Sequence, residues 1–420
     1  MTGESSTHEH RAPARRAARD ERPALVMAFP ISAAAPLPTG EPVGRAWLSA
    51  LGAPDSEVSG KHLKVTRLRG GGVQVSDAGS RNGTWVDGAR LGPEEAVTLS
   101  DGALLRIGRS LFVYRERFRG PLAPSAPLGR MVGPYGLRGV ADVLEAWRTQ
   151  PPANALIVGE SGTGKELMAE ELSRVLGRGA PVAVNVGAVP ATLFEGQLFG
   201  HVAGAFSDAR KASRGVVLAA DGGVVFLDEI GELSLELQPK LLRLLENREV
   251  QAVGAERPQK VDVVIVAATH QPLEARIEAG TFRRDLYARL AMAIVSLPPL
   301  RDRVEDLFAI LQTVALARGE RLPPEAVEVE ALERLMNEPL AGNVRELGAL
   351  YARMRLRDPE PGLRQWALTE ELGGPAPITG RALTREKVDA ALLAAGGNES
   401  EATRMLGCSR GALRRFRSKA

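Results

Sequence analysis

The sequence predicts a multidomain protein in which an all-β sandwich precedes an α/β core and an all-α C-terminal segment. Three observations predict this class. Short alternating apolar runs separated by Asn-Gly and Asp-Gly turns fill residues 25–118. Strand and helix patterns then alternate around a glycine-rich loop, and the last residues have helical periodicity. The chain has 420 residues and 44% hydrophobic content, enough for two to four cores.

The composition excludes several protein classes. The single cysteine, Cys408, excludes an internal disulfide framework. No apolar run approaches the roughly 18 residues of a membrane span, and the N-terminus has no signal-peptide core. We therefore expect a cytoplasmic protein without a membrane partner. The net charge is only +3, but residues 402–420 hold six Lys or Arg and no acid, which is typical of a polyanion-binding end.

The first 131 residues contain a tail, a domain and a linker. Residues 1–24 lack apolar periodicity and are predicted to be disordered. Residues 25–118 form the predicted β-sandwich, in which Leu105, Ile107, Leu111 and Val113 alternate with polar neighbours. The Pro, Gly and Ser residues of 119–131 indicate a linker.

A phosphate-binding loop is predicted at the start of the core. The apolar run Ala155 to Val158 leads into a loop that fits the spacing G-x-x-x-x-G-K and opens a helix. Its candidate nucleotide-binding residues are Gly159, Glu160, Ser161, Gly162, Thr163, Gly164, Lys165 and Glu166. Such a loop converges backbone N–H groups on phosphates, and the lysine reaches the outer ones. The alternative is a simple glycine turn between strand and helix.

A second pattern indicates the hydrolytic carboxylates. The buried-strand pattern Val224 to Leu227 ends in Asp228 and Glu229. At the end of a strand, Asp228 could hold Mg²⁺, and Glu229 could orient the attacking water. The alternative is an acidic strand end that caps the next helix.

The core resembles the AAA+ ATPase domain of bacterial enhancer-binding proteins, the activators of sigma-54 RNA polymerase, over residues 132–354. The resemblance rests on the phosphate loop with Glu166 after its lysine, the Asp-Glu pair, and Phe199 to Phe206, Phe282 to Leu290, Pro298 to Asp306 and Gly342 to Leu347. It implies an α/β fold with a small helical lid, the cofactors ATP and Mg²⁺, and a homo-oligomeric ring, expected to be a hexamer.

The resemblance also implies roles for individual residues. Arg283 and Arg289 match the arginine fingers that reach a neighbouring subunit. His270 occupies the first sensor, and Arg345 occupies the second. Asn185 matches the asparagine that restrains the catalytic glutamate. The ordinary interpretations are surface ion pairs and a turn-forming asparagine.

The loop expected to contact sigma-54 departs from the family pattern Gly-Ala-Phe-Thr-Gly-Ala. It consists here of Gly204, Ala205, Phe206, Ser207, Asp208 and Ala209. Asp208 introduces a charge and a Cβ where the family has glycine. Leu340 and Ala341 also replace the family's Trp-Pro. An alternative function therefore follows: the same ATPase frame acting as a repressor or on another partner.

The β-sandwich resembles a forkhead-associated (FHA) domain, a phosphothreonine reader, through Gly44-Arg45, Ser59 to His62 and Ser80 to Thr84. Candidate phosphopeptide-binding residues are Arg45, Ser59, Lys61, Arg81 and Asn82, which offer charge-assisted donors, while His62 is expected to brace the loop. The implied partner is a phosphothreonine protein or a Ser/Thr kinase. The alternative is a degenerate site used for protein contact.

The C-terminal region is predicted to bind DNA. A loop-rich linker, 355–380, precedes residues 381–420, which resemble a Fis-type helix-turn-helix through Gly397-Asn398, Ala402 to Leu406 and Gly407 to Arg410. Arg410, Arg414 and Arg415 lie where a recognition helix contacts DNA. A solvated basic tail is the alternative.

Together these features predict a phosphothreonine-responsive transcription activator. It would bind enhancer DNA and use ATP hydrolysis to remodel sigma-54 RNA polymerase holoenzyme.

Overall fold

The structure is a computed structural model that describes residues 21–38, 40, 42–188, 191–205, 211–373, 385–396, 398–406 and 413. Residues 1–20 of the tail predicted to be disordered lie outside these ranges. The chain divides into two compact units. One comprises Met1–Pro124, Val304–Pro339 and Tyr351–Ala420, and the other comprises Ser125–Arg303 and Leu340–Leu350.

The described strands are β1 Arg22–Phe29, β2 Ala33–Pro36, β3 Leu63–Arg67, β4 Val73–Asp77, β5 Thr84–Val86, β6 Ala89–Arg90, β7 Ala96–Leu99, β8 Leu104–Ile107, β9 Ser110–Phe118, β10 Asn154–Val158, β11 Val182–Asn185, β12 Val224–Asp228, β13 Glu249–Val250, β14 Gln259–Lys260, β15 Val264–Thr269 and β16 Ile294–Ser296.

The described helices are α1 Arg45–Ala50, α2 Arg138–Thr149, α3 Lys165–Val175, α4 Ala191–Phe199, α5 Gly215–Ala219, α6 Gln238–Asn247, α7 Leu273–Glu278, α8 Arg284–Leu290, α9 Leu307–Ala317, α10 Val329–Asn337, α11 Asn343–Arg357, α12 Gln365–Leu372, α13 Arg385–Ala394 and α14 Glu399–Leu406. Among them, no helix combines the length and the apolar composition needed to span a bilayer.

The first unit contains the predicted β-sandwich. One antiparallel sheet has the order β2-β1-β9-β8-β5-β6, and a second has the order β3-β4-β7. Strand β1 begins at Arg22, inside the segment for which the sequence predicts disorder, because Arg22 pairs with Phe118 of β9. The short helix α1 follows Gly44 and buries Leu48 in the sandwich core.

The first sheet is apolar on both of its faces along β1, β8 and β9. Leu105 pairs with Phe112, and both lie in the sandwich core. Leu104 pairs with Val113, and both are buried outside that core. A single alternating pattern predicts that Leu111 and Val113 share the inward face with Leu105 and Ile107. The structure instead places Leu111 and Val113 on the opposite face of the sheet. The reason is the hairpin turn between β8 and β9, which pairs odd-numbered residues of β8 with even-numbered residues of β9.

Helices of the same unit cover this outer face. Contacts join α9 to β1, and α10 to both β8 and β9. Segment 355–380, predicted to be a loop-rich linker, contains α12, which forms because Ala367 and Leu368 are buried in this helical region.

The second unit is an α/β fold with a parallel sheet in the order β11-β12-β15-β10-β16. Apolar clusters lie on the two faces of the sheet; one includes Leu227 and the other includes Phe226. This two-sided burial explains the continuous apolar runs of β10, β12 and β15. Because parallel strands share a polarity, β10, β12 and β15 deliver their following loops to one edge.

The described C-terminal residues form α13 and α14 around a small core. Val388, Ala391, Ala402 and Leu413 are its buried members. These helices agree with the predicted all-α segment.

Candidate nucleotide-binding site

The predicted phosphate loop connects β10 to α3. Gly162 and Gly164 have φ values of 77° and 102°, which favour glycine, and they turn the chain toward the N-terminus of α3. The Thr163 hydroxyl donates to the Glu160 carbonyl at 2.8 Å. Lys165 is the first residue of α3, and its ammonium donates to the Gly159 carbonyl at 3.2 Å. The loop thus combines backbone N–H groups, a helix N-terminus and a cation, as phosphate binding requires.

The segment that begins α11 supports the loop from behind. The Val344 N–H donates to the Gly162 carbonyl at 3.1 Å. Arg345, the second-sensor candidate, donates to the Ser161 hydroxyl at 2.9 Å. A Cβ on Gly162 would lie 2.2 Å from the Gly342 carbonyl oxygen. This close approach fixes the position of Arg345 relative to the loop.

Two residues that the sequence analysis did not single out hold Glu160. Arg301 Nη1 donates to Glu160 Oε2 at 2.6 Å, and Asn343 Nδ2 donates to the same oxygen at 3.2 Å. Asn343 is fully buried with φ 55°, and its Oδ1 accepts the Leu300 N–H at 2.7 Å. Both residues lie within the motif segments that carry the family resemblance. Their location in these segments was the only feature of the sequence that pointed to them.

Asp228 and Glu229 lie at the end of β12, beside the phosphate loop. Burial, followed by the charge of Glu229, raises the pKa of Asp228 above its ordinary value, although Lys165 opposes the shift. Glu229 has φ 55° and lies 3.5 Å from Lys165 Nζ. His270 Nδ1 lies 2.7 Å from Glu229 Oε2. Lys165, Glu229 and His270 therefore form one hydrogen-bonded and charged cluster.

Asn185 lies beside this cluster at the end of β11. It is the register partner of Asp228, which places it at the same sheet edge. Its Oδ1 accepts the N–H of Gly187 at 3.0 Å. In this structure, the carboxylate of Glu229 bonds with His270, and Asn185 bonds with its own loop.

Asp228 fits a divalent cation whose other ligands would be nucleotide phosphates and water. No group of three or more His, Cys, Asp or Glu in the described part of the chain could hold a metal by itself. Asp228 is a partly buried carboxylate whose ionised form is disfavoured by burial and by Glu229. Mg²⁺ is commonly held through one carboxylate, substrate phosphates and water. Asp228 therefore suits the metal role assigned to it.

Arg283 and Arg289 lie on the surface of the second unit, away from the cluster's hydrogen bonds. Both guanidinium groups are about half-exposed; Arg283 pairs with Asp285 at 2.7 Å, and Arg289 pairs with Glu246 at 3.0 Å. Such exposed pairs are weak because water screens them, so either arginine can exchange its partner easily.

The structure also brings the FHA-like loops together. The Arg45 N–H donates to the Ser59 carbonyl at 3.1 Å, and the Arg81 N–H donates to the Ser59 hydroxyl at 3.1 Å. Asn82 Nδ2 donates to the Glu57 carbonyl at 2.8 Å. Arg45, Lys61 and Arg81 are exposed at this edge. The cluster presents the cations and hydroxyl that a phosphate dianion needs.

His62 braces these loops, as predicted. It is fully buried; its Nδ1 lies 3.1 Å from the Ser59 N–H, and its Nε2 lies 2.9 Å from the Gly83 carbonyl. These partners require an acceptor at Nδ1 and a donor at Nε2, so the neutral tautomer protonated at Nε2 satisfies both.

Several predicted residues lie outside the described ranges. These are Phe206, Ser207, Asp208 and Ala209 of the sigma-54 loop, and Arg410, Arg414 and Arg415. Gly204 and Ala205 are described: Gly204 has φ 82°, and the Ala205 N–H donates to the Val202 carbonyl at 3.2 Å.

Family comparisons agree with the two structural assignments. Residues 138–296 match the model of the sigma-54 interaction domain, and residues 43–108 match that of the FHA domain. The central region of this chain is therefore similar to the sigma-54 interaction domain family. Its central α/β domain is accordingly of the AAA+ ATPase class.

Several curated members of the family are similar to this chain. NtrC of Bradyrhizobium sp. (strain RP501 Parasponia) is 42% identical over 56% of this chain and 50% of the relative. HyfR of Escherichia coli is 45% identical over 46% of this chain and 30% of the relative, and ZraR of Klebsiella oxytoca is 38% identical over 62% of each. The chain spans about half the length of the first of these relatives.

A solved structure resembles this fold. NtrX from Brucella abortus, crystallised in complex with ATP, superposes with a TM-score of 0.51 and 28% identity over 69% of each chain. The same protein was also solved in complex with ADP. The similarity supports the assignment of the central fold.

We predict that Gly162→Ala weakens nucleotide binding by about tenfold or more, because the new Cβ meets the Gly342 carbonyl and φ 77° is strained for alanine. Titration with a fluorescent ATP analogue measures the change. Gly139→Ala is the matched control, since a Cβ there meets open space on helix α2. Equal affinity for Gly162→Ala and the control would contradict the close contact.

Proposed function

We propose that this chain is an ATP-hydrolysing transcription regulator that binds upstream DNA, assembles into a ring and remodels sigma-54 RNA polymerase in response to a phosphothreonine signal. The observation that carries the proposal is the cluster of Lys165, Asp228, Glu229 and His270 within a domain that matches the sigma-54 interaction family. A phosphate loop alone would support only nucleotide binding. The adjacent carboxylates add the groups that hydrolysis requires.

The chemistry follows from the positions of these side chains. The loop amides and Lys165 hold the phosphates, and Arg345 contacts the loop at Ser161. Mg²⁺, held at Asp228, would supply charge neutralisation on the phosphates. Glu229 orients the attacking water, and the hydrogen bond from His270 fixes one of its carboxylate oxygens.

Lys165 and Asn185 make this arrangement responsive to the nucleotide. Lys165 lies near Glu229, so phosphates that attract Lys165 release one constraint on the carboxylate. Asn185 lies at the same sheet edge and is proposed to restrain Glu229 in another state of the cycle. The binding of ATP by NtrX, a relative at 28% identity, supports ATP as the nucleotide.

The exposed fingers support hydrolysis between subunits. Arg283 and Arg289 make exposed ion pairs within their own subunit, which leaves them able to turn to an anionic partner. We assign them to the γ-phosphate site of a neighbouring subunit in a homo-oligomeric ring, with six subunits as the expected number. This assignment rests on the family resemblance and on their exposure.

The two ends of the chain supply the signal and the DNA contact. The exposed cations around Ser59 support recognition of a phosphothreonine protein, such as a Ser/Thr kinase or its substrate. Arg410, Arg414 and Arg415, within the basic segment 402–420, are proposed to contact enhancer DNA. The helices α13 and α14 are consistent with a helical DNA-binding domain.

We predict that mixed subunits recover part of the ATPase activity. Asp228→Ala subunits keep their fingers, and Arg289→Ala subunits keep a complete active site, while each variant alone should lose about 10³-fold or more in kcat. A phosphate-release assay over a series of mixing ratios measures recovery. Arg284→Ala, an exposed neighbour, is the control and should remain active alone. Absence of recovery at every ratio would exclude fingers acting between subunits.

We predict that the native loop binds sigma-54 in the presence of an ATP transition-state mimic and that Asp208→Gly binds up to about 100-fold more tightly. Docking must desolvate the Asp208 carboxylate, at a cost of about 1–3 kcal/mol. Phe206→Ala is the negative control, since it removes the main apolar contact that the resemblance implies. If only Asp208→Gly binds while the ATPase rates are equal, the native protein acts on another partner.

We predict that the FHA domain binds a phosphothreonine peptide and that Arg45→Ala weakens this binding by about tenfold or more, because a charge-assisted contact is lost. Calorimetry with a peptide selected from a degenerate phosphothreonine library, and with its dephosphorylated form, measures both effects. Arg69→Ala lies in the turn at the opposite end of the β3 and β4 hairpin and serves as control. Equal binding of the two peptide forms would reject phosphate recognition.

A further inference from the structure

The outer face of the FHA sheet carries an unexpected pattern of burial. In a two-layer sandwich, alternate residues of each strand are expected to face solvent. Here a row of buried apolar residues lies outside the sandwich core. Its members are Ala24, Val26, Ala28, Leu104, Leu111 and Val113. An apolar face of this kind requires a partner.

The partner within the same compact unit is the segment 304–339 of this chain. Helix α9 contacts β1, helix α10 contacts β8 and β9, and residues 304–306 contact both β1 and β9. The rings of Phe29 and Phe308 meet edge to face with centroids 4.9 Å apart. The FHA domain and these helices therefore share a continuous apolar interior.

Three ion pairs made by two arginines specify this contact. Arg106 is 7% exposed on β8, where its Nε lies 2.7 Å from Glu333 Oε2 and its Nη1 lies 3.0 Å from Glu330 Oε1. Arg115 Nε donates to Glu305 Oε1 at 3.1 Å. Buried arginine and glutamate require their partners, since removal of either one leaves an uncompensated charge. The pairs thus fix one orientation on an otherwise apolar surface.

Hydrogen bonds connect the interface between the FHA sheet and segment 304–339 to the candidate phosphopeptide loops. Asp55 Oδ2 accepts the Arg109 N–H at 2.8 Å, and Asp55 Oδ1 accepts the Glu57 N–H at 2.9 Å. Asn82, a phosphopeptide candidate, donates to the Glu57 carbonyl. The Arg109 guanidinium donates at 3.3 Å to the carbonyl of Val327. A short series of bonds therefore joins Asn82 to the helical segment.

A second connection runs through Trp85. The Arg106 guanidinium lies 3.6 Å from the centre of the Trp85 ring, and Trp85 follows Gly83 and Thr84 of the loop region. The same arginine pairs with Glu330 and Glu333. A change in the loops that moves Trp85 would therefore alter the position of Arg106.

We propose that the FHA domain docks through its outer sheet face on the helical segment 304–339 and that Asp55 and Arg109 couple its phosphopeptide loops to this segment. The docking stands on the contacts alone, whereas the coupling rests on the proposed phosphothreonine role. The helical segment leads into α11, the helix that carries Arg345 near its start and bonds to Glu320 through Tyr351 and Arg355.

A charge exchange in the full-length protein tests the docking. Arg106→Glu and Glu333→Arg each place like charges together and should raise hydroxyl-radical labelling of Phe29 and Phe308 by about tenfold. The double variant Arg106→Glu/Glu333→Arg should restore most of the protection. Because Glu333 lies outside the FHA domain, a gain of labelling at Phe29 in Glu333→Arg cannot arise from damage to the sandwich itself.

Arg117→Glu is the matched control, since Arg117 is an exposed FHA arginine that lies 4.0 Å from Glu21. It should leave the labelling unchanged. Unchanged labelling in both single variants, or a double variant no better protected than either, would overturn the docking.

Hydrogen exchange tests the coupling in the same full-length protein. Saturation with the selected phosphothreonine peptide should change exchange in residues 323–337 by about threefold or more, and Arg109→Ala should remove this change. Arg109→Ala retains the backbone N–H that bonds Asp55, so it removes only the side-chain contacts with the helical segment. Bound peptide with unchanged exchange would overturn the coupling and leave phosphate reading intact. Absence of peptide binding would overturn both the coupling and the phosphate-reading role. The docking would still be tested by the charge-exchange variants of Arg106 and Glu333.

Discussion

The nucleotide site depends on the close approach of the Gly162 backbone to Gly342. A glycine at each position lets the loop carbonyl accept the Val344 N–H, and the contact places Arg345 on Ser161. Glu160, Arg301 and Asn343 then tie the same loop to the segment that precedes α9. The loop is thus held by the segment that begins α11, so the conformation of the loop and the position of Arg345, the second-sensor candidate, are physically linked.

The carboxylate of Asp228, at the end of β12, carries an electrostatic cost that a bound cation would offset. Burial and the adjacent Glu229 raise the pKa of Asp228 above its ordinary value, although Lys165 opposes the shift. Glu229 has Lys165 and His270 as neighbours. Functional sites commonly retain such unfavourable charge arrangements because a ligand completes them.

The FHA domain packs against helices from another part of the chain. Its first sheet buries both faces, one in the sandwich and one against helices that follow the parallel-sheet core in the chain. Burial of this extent favours a stable contact over a transient one, since about 25 cal/mol is gained for each Å² of apolar surface removed from water. The buried arginines add orientation to that gain. The phosphopeptide loops remain exposed at the edge of the domain.

The sequence alone determined the order of the domains, the phosphate loop, the carboxylate pair and the bracing role of His62. The loop and the carboxylate pair depend on local spacing: glycines that turn a loop and apolar runs that end in carboxylates. The role of His62 rests instead on the resemblance to an FHA domain, because its partner Gly83 lies 21 residues away in the chain. Arg301 and Asn343 required the tertiary structure, because their partner Glu160 is more than a hundred residues away in the chain. The outward burial of Leu111 and Val113 also required it. Alternation of apolar residues in the sequence indicates that a strand has two different faces. Whether both faces are buried depends on the helices that pack on the sheet, and these are known only from the structure.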